Sequence, residues 1–248
     1  MVKLTGLKKV KTAVFISGTG SNLKNLIKFS KIKNSPISID LIFSNTSKAK
    51  GLKFSNQFNI KKYVSSFNNP KIAEAKILNL LNKENIRFIC LAGFMKILSK
   101  NFIKKFSGKI INIHPSLLPK YKGLDTHIKA IQNKDKVAGC TVHFVTAKLD
   151  SGKIILQKEI KILKKDNSTS LAKKVLKQEH KLYPSAIKNK DKFTGCTVHY
   201  VTSKLDSGKI IMQKKVKITA KDNSTSLAKK VLKKEHTLYL DSILKIFN

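Results

Sequence analysis

Asn112 and His114 stand two residues apart in "INIHPSLLPKYKG", and Asp150 follows 36 residues after the histidine (150 − 114) in "KLDSGK". On a strand, residues two apart point to the same face. Pro115 turns the chain out of the strand directly after His114. An amide and an imidazole aimed at one point can donate hydrogen bonds to an oxyanion developing on a carbonyl. A carboxylate near the imidazole raises its pKa and holds it charged, or relays a proton. Asn, His and Asp together suit acyl transfer. No serine or cysteine nucleophile and no metal-ligand spacing accompanies them, so the attacking atom belongs to the substrate.

A second stretch, "GTGSN" over Gly18–Asn22, lies between an apolar run and a helical pattern. Backbone N–H groups at such a turn and helix start bind anions, and glycines let the main chain approach a phosphate. It departs from the dinucleotide-binding fingerprint. Leu23 stands where that pattern has its third glycine, and no acidic residue closes the second strand. Taken alone, the stretch reads equally as a plain tight turn.

These residues need a frame. "KTAVFIS", "ISIDLIFSN", "RFICLAGF" and "KIINIH" read as strands and "KKYVSS" as a weak one. Between them, helical patterns run over Leu23–Phe29, "GLKFSNQFNI", "PKIAEAKILNLLNKENI" with Pro70 at its start, and "SKNFIKKFSG" closed by Gly108. Alternation at this spacing predicts an α/β fold with a doubly wound, mostly parallel sheet and helices on both faces. Such folds place ligands at the carboxyl edge of the sheet, where "NIH" ends.

The chain has 248 residues and is 41 % hydrophobic, enough for a buried core. Its formal net charge is +37, yet only Arg87 is an arginine, so 50 of the 51 basic residues are lysine. Nucleic-acid readout favours arginine, and the lysines form no single block. Codon bias and a solvated surface explain the charge, and no nucleic-acid partner is expected. The odd set Cys90, Cys140 and Cys196 reads as reduced thiols in a cytosol. The N-terminal apolar stretch is too short to span a membrane. The expected setting is cytoplasmic, with no membrane partner.

Ala130–Pro184 repeats as Ala186–Leu240, at an offset of 56 (186 − 130), with 42 identities in 55 positions and no gap. We read this as a tandem duplication of part of one domain. The expected division is 1–185 as the working domain and 186–248 as a second copy with a terminal helix. His114 occurs once, whereas its carboxylate occurs twice, as Asp150 and Asp206. Locality and loop closure favour Asp150.

The segments "ISGTGSNL", "LAGFMKILS", "INIHPSLLPKYKGLDTH", "CTVHFVTAKLDSGKII" and "QEHKLYP" together resemble the glycinamide ribonucleotide formyltransferases, in that family's order, from about Val14 to Pro184. The resemblance implies direct attack of the glycinamide amine on the formyl carbon of 10-formyltetrahydrofolate, in purine synthesis and without a metal. By motif position Asn112 would bond the formyl oxygen, and His114 would donate the proton and stabilise the oxyanion. Asp150 would raise the pKa of His114 and organise a water. Gly20, Ser21 and Asn22 would cradle the phosphate of phosphoribosylglycinamide, and Glu179 would meet its glycinamide or ribose end. Met95, Lys96, Ile97 and Leu98 would line the folate pocket together with Asn112. Lys96 replaces the arginine frequent there, which removes a bidentate contact. Lys71 is the nearest candidate for a basic residue that the family places before "LAGF".

The chain is expected to be a monomer or homodimer acting on small molecules. Competing readings are methionyl-tRNA formyltransferase, formyltetrahydrofolate deformylase, a non-catalytic basic binding protein and an inactive duplicated product. The first carries a distinct C-terminal β-domain, where this sequence has the repeated segment, and the second an N-terminal regulatory domain, where the first strand is expected from about residue 11, so neither is favoured.

Overall fold

The computed structural model describes residues 9–188, 193–199, 210–217 and 224–247. It divides into two compact units, Met1–Lys188 and Asn189–Asn248. The division falls after Lys188 rather than after residue 185, because one helix runs unbroken from Ser168 to Lys188.

The first unit is built on a seven-stranded sheet. Its strands are β1 (Val10–Ile16), β2 (Ile37–Ser44), β3 (Lys61–Val64), β4 (Phe88–Leu91), β5 (Lys109–His114), β6 (Val137–Phe144) and β7 (Ile154–Lys161), in the order β3-β2-β1-β4-β5-β6-β7. Strands β1 to β5 pair in parallel. β6 is antiparallel to both β5 and β7. The helices are α1 (Ser21–Lys31), α2 (Lys53–Phe58), α3 (Pro70–Lys83), α4 (Lys100–Lys105), α5 (Thr126–Gln132) and α6 (Ser168–Lys188).

Alternation in β1 sets the two layers. Ala13 and Phe15 face one side, packed with Leu41, Phe43, Ile77 and Leu81. Val14 and Ile16 face the other, packed with Leu23, Ile27, Leu171, Val175 and Tyr183. A parallel strand buried on both faces reads as a continuous apolar run, which is why "KTAVFI" shows no polar alternation.

Local signals place the helix ends. Asn69 caps α3, its side chain accepting from the Ile72 amide at 3.3 Å, with Pro70 in the first turn. Ser99 caps α4. Pro184 lies inside α6 and has no N–H for the His180 carbonyl four residues back. The Asn25 amide on α1 donates to that carbonyl at 2.5 Å.

The second unit contains β8 (Phe193–His199), β9 (Ile210–Lys217) and α7 (Ser224–Phe247). β8 and β9 pair antiparallel, with an irregularity between Val198 and His199. The β6–β7 hairpin has its irregularity at the equivalent place, between Val142 and His143. Among the described residues no helix is long and apolar enough to cross a membrane.

Candidate active site

Strand order reverses direction between β1 and β4, and a crevice opens at their carboxyl ends. There lies a cavity of about 950 Å³, large enough for a small-molecule ligand. Its lining includes Gly18–Asn22 and Met95, Lys96, Ile97 and Leu98. Asn112, His114 and Asp150 lie on its wall, and Glu179 lines it too. Lys71 is not brought there. It sits exposed in the first turn of α3, outside the residues that line the cavity.

The phosphate-type turn depends on a close backbone approach. Gly20 caps α1 in the left-handed region with φ 74°. A Cβ on it would lie 2.7 Å from the Gly51 Cα. The Gly51 N–H in turn donates to the Gly18 carbonyl at 2.9 Å. The Ser17 hydroxyl accepts from the Met95 amide at 2.8 Å, which fixes the start of the opposite wall. Met95 and Ile97 are exposed at 63 % and 69 %, as are Leu124 and Leu149 at 65 % and 46 %. Large apolar side chains left open around one cavity suit a flat, partly apolar ligand.

Asn112 and His114 leave the end of β5 on one face, and β6 sets their partners. Asn112 pairs across the ladder with His143, and His114 with Thr141. The β6–β7 turn carries Asp150 back over them. Its main chain is left-handed, with φ 42°, a conformation aspartate tolerates better than most residues. Asp150 Oδ2 lies 3.4 Å from His114 Nδ1, and Oδ1 lies 3.5 Å from His143 Nε2. The Gly123 N–H donates to Oδ2 at 2.9 Å. Asp150 thus completes the site with His114, while Asp206 lies outside the described residues.

His143 was not among the sequence-derived site residues. Its Nδ1 is 2.9 Å from the Phe144 carbonyl, which can only accept, so Nδ1 carries the proton. Nε2 lies 3.2 Å from the Asn112 amide nitrogen and 3.5 Å from Asp150 Oδ1. His143 thereby holds the Asn112 amide and the Asp150 carboxylate together. The signal lay in "TVH", where Thr141 and His143 alternate onto one face, but only the antiparallel register opposes it to Asn112. His143→Phe is expected to lower kcat about tenfold while changing KM much less, because Asn112 loses its orientation. Steady-state kinetics check this. An effect on KM alone would remove the orienting role.

The charge state of His114 differs from the sequence expectation. Burial pushes its pKa below the usual value. The Tyr121 carbonyl, which accepts from Nε2 at 2.8 Å, and the Asp150 carboxylate both pull upward without overcoming it. Asp150 moves the other way. Burial alone would raise its pKa, but the contacts from His143, the Gly123 amide and His114 hold it below the ordinary carboxylate range. In the free site His114 is therefore neutral near pH 7 and Asp150 ionised. NMR titration is expected to place His114 below 6.5, and lower still in Asp150→Asn, since removing an anion disfavours the imidazolium. An upward move in that variant would contradict the arrangement.

The Asn22 amide donates to Glu179 at 2.7 Å. Burial raises the Glu179 pKa, partly offset by that bond. The Tyr183 hydroxyl lies within hydrogen-bond reach of the Leu91 and Ile111 carbonyls, at 2.9 and 3.1 Å, and ties α6 to β4 and β5.

A doubly wound, mostly parallel sheet with a cavity at the carboxyl ends of its strands is the architecture of many enzymes that bind small molecules, and the comparisons specify the family. Residues 10–187 match the formyl transferase family model, and residues 185–243 match it again. The chain belongs to the formyl transferase family. It is 38 % identical over 177 residues to phosphoribosylglycinamide formyltransferase of Escherichia coli, covering 70 % of this chain and 84 % of that one. It is 41 % identical over 183 residues to the human trifunctional purine biosynthetic protein adenosine-3, covering 73 % of this chain but only 18 % of that protein. The chain therefore spans less than a fifth of the trifunctional relative's length. The crystal structure of phosphoribosylglycinamide formyltransferase from Brucella melitensis superimposes with a TM-score of 0.69 at 41 % identity, covering 73 % of this chain and 95 % of that chain.

Proposed function

We propose that this chain transfers the formyl group of 10-formyltetrahydrofolate to the amine of phosphoribosylglycinamide, in the cytoplasm, as a step of purine synthesis. The observation that carries the reading is the cluster of Asn112, His114 and Asp150 on the wall of a cavity that is also lined by the glycine turn and by exposed apolar side chains. The turn at Gly20, Ser21 and Asn22 suits a phosphate. The ribose or glycinamide hydrogen-bonds to Glu179. Met95, Lys96, Ile97 and Leu98 suit the folate ring.

The amine attacks the formyl carbon, and negative charge develops on the formyl oxygen. The Asn112 amide, oriented by His143, donates to that oxygen. His114 starts neutral and takes the proton that the amine loses as the new C–N bond forms. The proton enters at Nδ1, since Nε2 is bonded to the Tyr121 carbonyl, and Asp150, 3.4 Å from Nδ1, stabilises the imidazolium, whose charge offsets the oxyanion. His114 then gives the proton to the folate N10 as the bond between N10 and the formyl carbon breaks. A pKa somewhat below neutral suits a group that must both take and return a proton.

The test is to incubate the purified chain with both substrates and follow formyl transfer. Formylated product with release of tetrahydrofolate supports the reading. Transfer to initiator methionyl-tRNA instead, or hydrolysis to free formate, would replace it with another member of the family.

A further inference from the structure

We infer that Glu74, a buried carboxylate outside the cavity, is a positioning residue for the co-substrate: through Ser99 it holds Met95, Lys96 and Ile97 out as an open arch on the cavity lining. The inference rests on the formyl-transfer reading for what the arch binds, but not for how the arch is held.

Between the end of β4 at Leu91 and the start of α4 at Lys100 the chain forms neither helix nor strand. Its ends are fixed by side chains from elsewhere. On one side the Ser17 N–H donates to the Gly93 carbonyl at 3.0 Å, and the Ser17 hydroxyl accepts from the Met95 N–H and donates to Asn45 Oδ1. On the other side Glu74 Oε1 accepts from the Ser99 N–H at 2.7 Å, and Oε2 accepts from the Ser99 hydroxyl. Apolar contacts pin the same two ends. The Phe94 ring meets Phe15 and Phe67 at 5.4 and 5.6 Å, and Leu98 is buried. The three residues between are the ones left exposed.

Glu74 is itself 4 % exposed, on the face of α3 that packs Ala73, Ile77 and Leu81 into the core. A carboxylate is costly there unless its oxygens are bonded, and both go to Ser99. Capping of α4 does not call for it, because the Ser99 hydroxyl already accepts from the Phe102 N–H at 3.0 Å. The carboxylate adds strong bonds to the residue at which the lining segment ends. Once that end is loose, Met95 and Ile97 gain by turning out of water, and the apolar surface offered to the co-substrate is lost.

Two measurements on the full chain test this. Glu74→Gln keeps the side chain's shape and one acceptor oxygen, whereas Glu74→Leu keeps no acceptor. Amide hydrogen exchange over residues 93–99 should quicken about fivefold in the first and more in the second, while β1 keeps its rates. In Glu74→Gln the KM for 10-formyltetrahydrofolate should rise about tenfold, with kcat and the KM for phosphoribosylglycinamide within about twofold of wild type. A carboxylate that only stabilised α3 would not separate the two KM values. Unchanged exchange over 93–99 overturns the anchoring. Faster exchange with both KM values moved alike, or with neither moved, overturns its bearing on the co-substrate. Should Glu74→Leu not fold, the glutamine variant decides alone. A wild type without formyl transfer, whose residues 93–99 still loosen in the variants, would sink the formyl-transfer reading and leave the anchoring standing.

Discussion

His114→Ala is expected to lower kcat for formyl transfer about a thousandfold while leaving KM for both substrates within about threefold. The imidazole is the group that moves the proton between the incoming amine and the departing nitrogen. Nε2 is bonded to the Tyr121 carbonyl and Nδ1 faces Asp150, which sets the orientation of the ring for that transfer. The repeated segment offers no substitute, since His114 lies outside it. Asn112 remains as an oxyanion donor, which keeps the loss from being total. Stability should change little. The Tyr121 carbonyl keeps the Ser116 hydroxyl at 3.2 Å, and Asp150 keeps the Gly123 amide. An unaltered kcat in a folded variant would end the catalytic role.

Phe15→Ala is expected to cost about 3–5 kcal/mol, which for a unit of this size lowers the melting temperature by about 10 °C. Phe15 is fully buried at the centre of β1. Its ring meets Phe43 at 4.7 Å between centroids, Phe94 at 5.4 Å and Phe102 at 6.4 Å. These neighbours come from a strand, a loop and a helix, so the cavity left by alanine cannot close by a single shift. Phe15→Leu fills most of that space and should cost about half as much. Thermal unfolding followed by near-ultraviolet circular dichroism measures both. A drop below about 3 °C for the alanine variant would mean that the aromatic cluster does not anchor this layer.

Much of the frame was legible in the sequence. β5 was expected over "KIINIH" and runs over Lys109–His114. α3 starts where Pro70 follows a capping asparagine. Apolar runs and caps are local signals, and they survive folding because each element buries the face its own pattern defines. α5 escaped notice. It has seven residues, too few for a periodic pattern to stand out. His143 was visible as a residue but not as a partner, since its role depends on the β5–β6 register.

The sequence by itself determined the residue types of the site and their order, the alternating frame, and the presence of two carboxylates for one histidine. Those are properties of local pattern and of counting. The tertiary structure decided the rest. It seated Asp150 against His114 by folding the β6–β7 turn back over β5. It set His143 to orient Asn112. It also let burial outweigh the upward pull of Asp150 on the pKa of His114. Proximity to a carboxylate raises an imidazole pKa and burial lowers it, and which effect prevails depends on how much solvent the surrounding elements exclude.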